Sequence, residues 1–258
     1  DGDSHRMTLL TVPLGCNLSK QSFQLVAQDE SACFLSLDVV KDATNEYLIL
    51  VQEPVVVLRT TDVQSKDHSV GGVVPSSAFG SATSWSDGKV PHKDAHYYVR
   101  RLSGVDTDVT FARTPTQDYS FPGLSLTIGD HGLLLQCCQN LTVGTLRLLN
   151  GACLHQEQNT TTPVLQGDEL WAQSGRVYVT AYNTRGYQLY SALRGKGEVF
   201  FNGVYGGSSR PDGALTICGE TKDFAGSLTI GHYNLGVASA PYVSAYPGYF
   251  YIWNGVLD

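Results

Sequence analysis

Nowhere in the 258 residues does an apolar run approach the ~20 residues that an α-helix needs to cross a bilayer. Charge is scarce as well. Asp, Glu, Lys and Arg make up 16% of the chain, and 24 acidic side chains against 17 basic ones leave a formal net charge of −7. A nucleic-acid binder would carry a basic face for phosphates, so this balance argues against that class. With one methionine, few charges and no capped stretch of helix-period apolar residues, the chain has little to build a long helix or coiled coil from. No two cysteines have the C-x-x-C spacing of a zinc site. The nucleophile elbow, the zinc-protease helix, the P-loop and the EF-hand are all missing.

What is present is glycine and β-forming residues. The 27 glycines are about a tenth of the chain against a usual share of about 7%, and 42% of residues are hydrophobic. The length allows one or two domains with a sizeable core. Six cysteines (Cys16, Cys33, Cys137, Cys138, Cys153, Cys218) permit 15 pairings. Cys16 with Cys33, and Cys137 or Cys138 with Cys153, are the local ones, and six buried thiols are the alternative. Asn17, Asn140 and Asn159 begin glycosylation triplets, which chance supplies readily in a Ser/Thr-rich chain. The opening DGDSHRMT lacks a basic-then-apolar leader, so the expectation is a leader already removed or an excised fragment.

The chain changes character near residue 75. Residues 1–75 hold 4 of the 27 glycines and 10 acidic against 5 basic side chains. Strands are expected there at Thr8–Val12, Ser22–Ala27, Ala32–Val40 and Tyr47–Arg59, with Pro54 dividing the last at a bend or edge. The apolar run 47–51 implies a strand covered on both faces. A Ser-, Gly- and Pro-containing stretch, Ser65–Ala82, reads as a linker. The expected division is a β-rich N-terminal cap or small domain over 1–75 and a second domain over 83–258.

From about residue 83 onward short apolar stretches recur between Gly, Asn and Asp. Leu126-Thr127-Ile128, Leu141-Thr142-Val143, Leu215-Thr216-Ile217 and Leu228-Thr229-Ile230 share one form. Each would turn two side chains into a core and its Thr outward, and four such triplets in a Gly-bounded setting favour repeated rungs.

Two stretches carry a family resemblance. Trp85-Ser-Asp-Gly88-Lys-Val-Pro91-His-Lys-Asp94 resembles the lead-in to many secreted right-handed parallel β-helices. Gly195-Lys-Gly197-Glu-Val-Phe-Phe201, then Ala214–Gly219, then Asp223-Phe224-Ala225-Gly226-Ser227 resembles the autotransporter-associated β-strand repeat, with Ala225 where that family prefers Ser. The resemblance covers roughly 83–231. It implies an all-β fold, a right-handed parallel β-helix (solenoid) preceded by a small β-rich N-terminal cap or domain. Coils of roughly 20–25 residues would give about six or seven rungs. It also implies a secreted or bacterial cell-surface protein working as adhesin, ligand display or structural scaffold. No cofactor is expected, and a host glycan or surface protein would be the partner.

Candidate chemistry is thin. His92 and His96 are four residues apart in what reads as loop and strand, poor spacing for a shared metal. Asp168 and Glu169 would point to opposite faces of a strand, while Asp106 and Asp108 could share one, as a sugar hydrolase's carboxylates must. A β-helix lyase would need a base such as Arg100, Arg101, Arg185 or Arg210 near acidic residues, and none of these has an acidic cluster around it in sequence. The densest aromatic group, Tyr242, Tyr246, Tyr249, Tyr251 and Trp253, is the candidate binding surface, with packing at the end of the solenoid as the plainer role. A polysaccharide-acting β-helix enzyme and a carbohydrate-binding β-sandwich module are the competing readings.

Overall fold

The computed structural model describes residues 5–23, 25, 34–58, 80–99, 110–129, 132–156, 161–181, 187–203, 214–230 and 249–252. The chain divides into two compact units, Asp1–Val55 and Val56–Asp258. Most of the stretch where the composition changes, 59–79, lies outside the described residues. Among the described residues there is no α-helix.

The first unit holds one antiparallel sheet of β1 (His5–Pro13), β2 (Leu35–Lys41) and β3 (Asn45–Gln52), in the order β1-β3-β2. The apolar run beginning at Tyr47 takes the central place, and Leu48, Ile49 and Val51 are buried. Pro54, which has no N–H for a ladder, falls just beyond this strand's end. Edge strand β1 is exposed nearly throughout, Met7, Leu9 and Leu10 included. Lys20–Ser22, at the front of the strand expected over 22–27, instead form a 3-10 turn capped by Ser19, and 26–33 lie outside the described residues.

Two carboxylates organise this unit. Asp42 closes the β2–β3 turn by accepting the backbone N–H of Thr44 (2.7 Å) and Asn45 (2.8 Å) and the Tyr47 hydroxyl (2.5 Å). Glu46 accepts the N–H of Gly15 (3.1 Å), Asn17 (3.3 Å) and Leu18 (2.5 Å), with Lys41 Nζ at 3.0 Å. Gly15 and Asn17 both have positive φ (98° and 56°), and such backbone aims neighbouring N–H groups at one anion. The Leu18 N–H first, then Lys41, draw the Glu46 carboxyl down to about 2.

The second unit is a parallel β-helix built from three sheets of six strands. The first sheet contains β4 (Val55–Val57), β5 (His96–Val99), β8 (Ser125–Ile128), β11 (Thr145–Leu148), β14 (Glu169–Ala172) and β17 (Ala192–Gly195). The second contains β6 (Thr110–Arg113), β9 (Gly132–Gln136), β12 (Cys153–Gln156), β15 (Arg176–Ala181), β18 (Glu198–Gly203) and β20 (Ser227–Ile230). The third contains β7 (Tyr119–Phe121), β10 (Asn140–Val143), β13 (Val164–Gln166), β16 (Tyr187–Leu189), β19 (Ala214–Ile217) and β21 (Tyr249–Ile252). The chain visits the three sheets in turn, so each coil stacks in parallel on the one before. Parallel pairing throughout the coils rules out a sandwich of antiparallel sheets there.

Alternation within each short strand produces the core. By register Tyr97, Leu126, Leu146, Leu170 and Leu193 form one interior column, Leu134, Leu154, Val179 and Phe201 a second, and Leu141, Leu165, Leu189 and Ile217 a third. Burying each such side chain contributes roughly 1.5–3 kcal/mol before conformational entropy is counted. The lead-in segment explains its own composition. Trp85, fully buried, meets Tyr97 edge-on at 4.9 Å, and Tyr97 meets Phe121 at 5.1 Å, while Gly88 (φ 70°) turns the chain away from them. Gly195 (φ 101°) marks the corner where a coil passes from the first sheet to the second, and a Cβ there would run into the Ala172 carbonyl of the coil before.

Inside one corner sits a polar exception. The Gln136 Nε2 donates to the carbonyls of Cys138 (3.2 Å), Gln139 (3.2 Å) and Val164 (2.9 Å), and its Oε1 accepts the buried Tyr187 hydroxyl. One amide thus satisfies carbonyls that leave the ladder where the chain bends. The local pairing of Cys137 or Cys138 with Cys153 is not formed. Cys153 instead places its Sγ 3.8 Å from Thr180 Oγ1 across the second sheet, and Cys16 and Cys218 form no disulfide either. The Leu-Thr-Ile triplets also need correcting as a rung repeat. They lie on β8, β10, β19 and β20, which belong to three different sheets. What recurs is the in-out-in requirement of any strand here.

Candidate functional site

The coils present three outer surfaces of different chemistry. On the first sheet the register sets Arg147, Trp171 and Arg194 side by side. Arg194 is surrounded by Asp223 (3.1 Å), Glu169 (3.6 Å) and Glu220 (3.7 Å), and Trp171 Nε1 donates to Glu169 at 2.7 Å. On the second sheet the outward-pointing Leu135, His155, Thr180 and Phe200 are buried. His155 Nδ1 lies 2.6 Å from Thr180 Oγ1, and Arg176 pairs with Glu198 at 2.8 Å and lies over the Phe200 ring.

The third sheet differs from both. None of its six strands contains an Asp, Glu, Lys, Arg or His. Leu141, Leu165, Leu189 and Ile217 point inward, so the residues between them must point out. The register arranges these in two columns. One runs through Ser120, Thr142 and Gln166 and continues past the strand ends with Tyr190 and Cys218. The other runs through Asn140, Val164, Gln188 and Thr216 to the position of Tyr251. Ser120, Gln166 and Tyr190 are exposed, Tyr190 by 51%, and the rest of the described members are half-buried.

Neighbouring members hold one another. Gln166 Nε2 donates to Thr142 Oγ1 at 2.9 Å, and Asn140 Nδ2 donates to Asp118 at 2.7 Å. The charge that Cys218 takes on when ionised, and then its hydrogen bond, push the neighbouring Tyr190 phenol above its usual range. The surface is therefore a regular array of amides and hydroxyls with a rung spacing of about 4.8 Å. It can donate and accept hydrogen bonds and offer a ring for stacking, with no charged side chain in the strands themselves and the Asp118 carboxylate held beside Asn140 at its edge.

The residues singled out from sequence scatter. Tyr249 and Tyr251 lie on β21, opposite Ala214 and Thr216, at the end of this same sheet. Tyr242, Tyr246 and Trp253 lie outside the described residues. His92 faces Asp87 (3.3 Å) and His96 faces Ser125 (2.7 Å), so they do not converge. Asp168 and Glu169 stand at the start of β14, with Glu169 committed to Trp171 and Arg194. Asp106, Asp108, Arg100, Arg101, Arg185 and Arg210 lie outside the described residues. Among the described residues no three His, Cys, Asp or Glu are placed to hold a metal ion.

No protein-family model, curated protein or solved structure matches the chain. The parallel β-helix is thus established by strand pairing alone. Sequence reading missed two features, the acidic ring around Arg194 and the uncharged sheet. The first draws on three coils and leaves no local spacing. The second was readable once strands were assigned to sheets, since an unbroken lack of charge over every third strand is visible in the sequence itself.

Proposed function

We propose that this chain is a secreted or cell-surface β-solenoid of the autotransporter-passenger kind, used for adhesion or ligand display. The observation that carries this reading is the third sheet, a long uncharged array of outward amides and hydroxyls held on a rigid stack of coils. A surface scaffold needs side chains presented at fixed intervals on elements that do not move, and stacked coils meet that need. The Gly-x-Gly strand and the Asp223–Ser227 segment support the autotransporter-like part of the reading, since Gly195 forms the corner and Asp223 anchors to Arg194.

The polysaccharide-enzyme reading draws on Arg194 among its carboxylates. That guanidinium is engaged by three acidic groups and only 15% exposed, an arrangement suited to locking coils together rather than to removing a proton. Surface labelling of intact producing cells tests the proposal. Protease added outside should release or degrade the chain, and full protection until lysis would overturn the surface reading.

A further inference from the structure

The chemistry of the third sheet's outer surface is narrow enough to name a ligand class. We propose that it binds an extended, uncharged polysaccharide laid along the stacking direction of the coils, across Thr142, Gln166, Gln188 and Tyr190. This rests on the surface-display reading for its setting and goes further by naming the ligand.

Charge decides first. An acidic glycan needs cations at its carboxylates or sulfates, and the six strands supply none, on a protein whose net charge is −7. A basic ligand would need a row of carboxylates, and the strands supply none, Asp118 lying just before the first of them and already taken up by Asn140. A neutral sugar chain asks only for paired donors and acceptors and an apolar patch for its C–H faces. Gln166 and Gln188 each offer both ends of an amide, Thr142 offers a hydroxyl, and Val164 with the exposed Tyr190 ring offers the apolar contact.

Geometry decides second. The columns repeat at about 4.8 Å. A β-linked pyranose chain in its extended form advances by a closely similar interval per sugar, so successive sugars meet successive rungs, Asn140 with Thr142, Val164 with Gln166, and Gln188 with Tyr190. The donors are preorganised, as the Gln166–Thr142 bond shows, so little side-chain freedom remains to be lost on binding. A folded protein partner would gain nothing from this periodicity.

The test uses the full chain. Depletion from solution by cellulose, xylan and chitin is compared with depletion by polygalacturonate and heparin. Retention by at least one neutral polymer, unaffected by salt, is expected. The double variant Gln166→Ala/Gln188→Ala should then weaken retention at least about tenfold, through the loss of two hydrogen bonds. Tyr190→Ala should weaken it less, and thermal unfolding shows that each variant is folded. No retention by any neutral polymer overturns the proposal, as does retention by the acidic polymers only or an unchanged affinity in the folded double variant. Failure here is separable from failure of the surface reading. A chain that protease reaches on cells but that ignores neutral glycans loses the ligand alone. A chain that binds them yet stays protected until lysis loses the location alone.

Discussion

The first 55 residues and the coils that follow are both made of strands, but they hold themselves together by opposite means. In the antiparallel sheet the polar groups do much of the fixing. Glu46 gathers the 15–18 turn and Asp42 closes the β2–β3 turn, while β1 keeps Met7 and Leu9 in solvent. In the β-helix the apolar columns are closed on three sides and a buried polar group such as Gln136 serves only a corner. The difference follows from strand pairing. An antiparallel sheet can leave one face wet, whereas coils of parallel strands enclose their inner faces completely.

That contrast can be broken where it is strongest. Trp85→Ala should remove the aromatic plug shared with Tyr97 and Phe121 and cost about 3–5 kcal/mol, read by denaturant unfolding. Gly195→Ala follows, at roughly 1–3 kcal/mol, because a left-handed corner and a blocked Cβ combine, and a shift in the same unfolding curve measures it.

Acid should sharpen the comparison by acting on the other unit. Glu46 titrates near 2 in the folded chain against an ordinary value of 4.5, so its contribution is complete above about pH 4.5 and fades as pH falls towards 2. Amide exchange at Gly15 and Leu18 should accelerate over that range beyond its intrinsic rate, and Glu46→Gln should show the fast exchange at neutral pH. Amides of the Leu146 and Leu170 column should be indifferent to the same acid. The smallest effect concerns reactivity. Burial pushes the Cys153 thiol up to about 12, so alkylation at mild pH should modify exposed Cys16 well ahead of it, as peptide mapping would show.

Much of the fold was legible because a two-residue period is a local property. Segments such as Ser125–Ile128 and Ala214–Ile217 declare themselves as strands, and the Asp87-Gly88 pair declares itself as a turn. The assignment of strands to sheets was less so. The strands of the first sheet from β5 to β17 begin at 96, 125, 145, 169 and 192, intervals between 20 and 29 residues, so no fixed repeat exists to be found. The Leu-Thr-Ile triplets misled for that reason, matching by strand chemistry across different sheets. Of the aromatic group expected to bind, Tyr249 and Tyr251 take places on the uncharged sheet, while the Gln and Thr columns beside them carry no signal until the coils are stacked.

The stacking of parallel coils has a mechanical consequence. Hydrogen bonds between successive strands run along the stack, so a force drawing the first and last coils apart loads one coil-to-coil interface at a time. Such a protein should yield by peeling, each coil releasing about 20–29 residues of slack before the next is strained. Such a stack absorbs work by lengthening in steps rather than by giving way all at once.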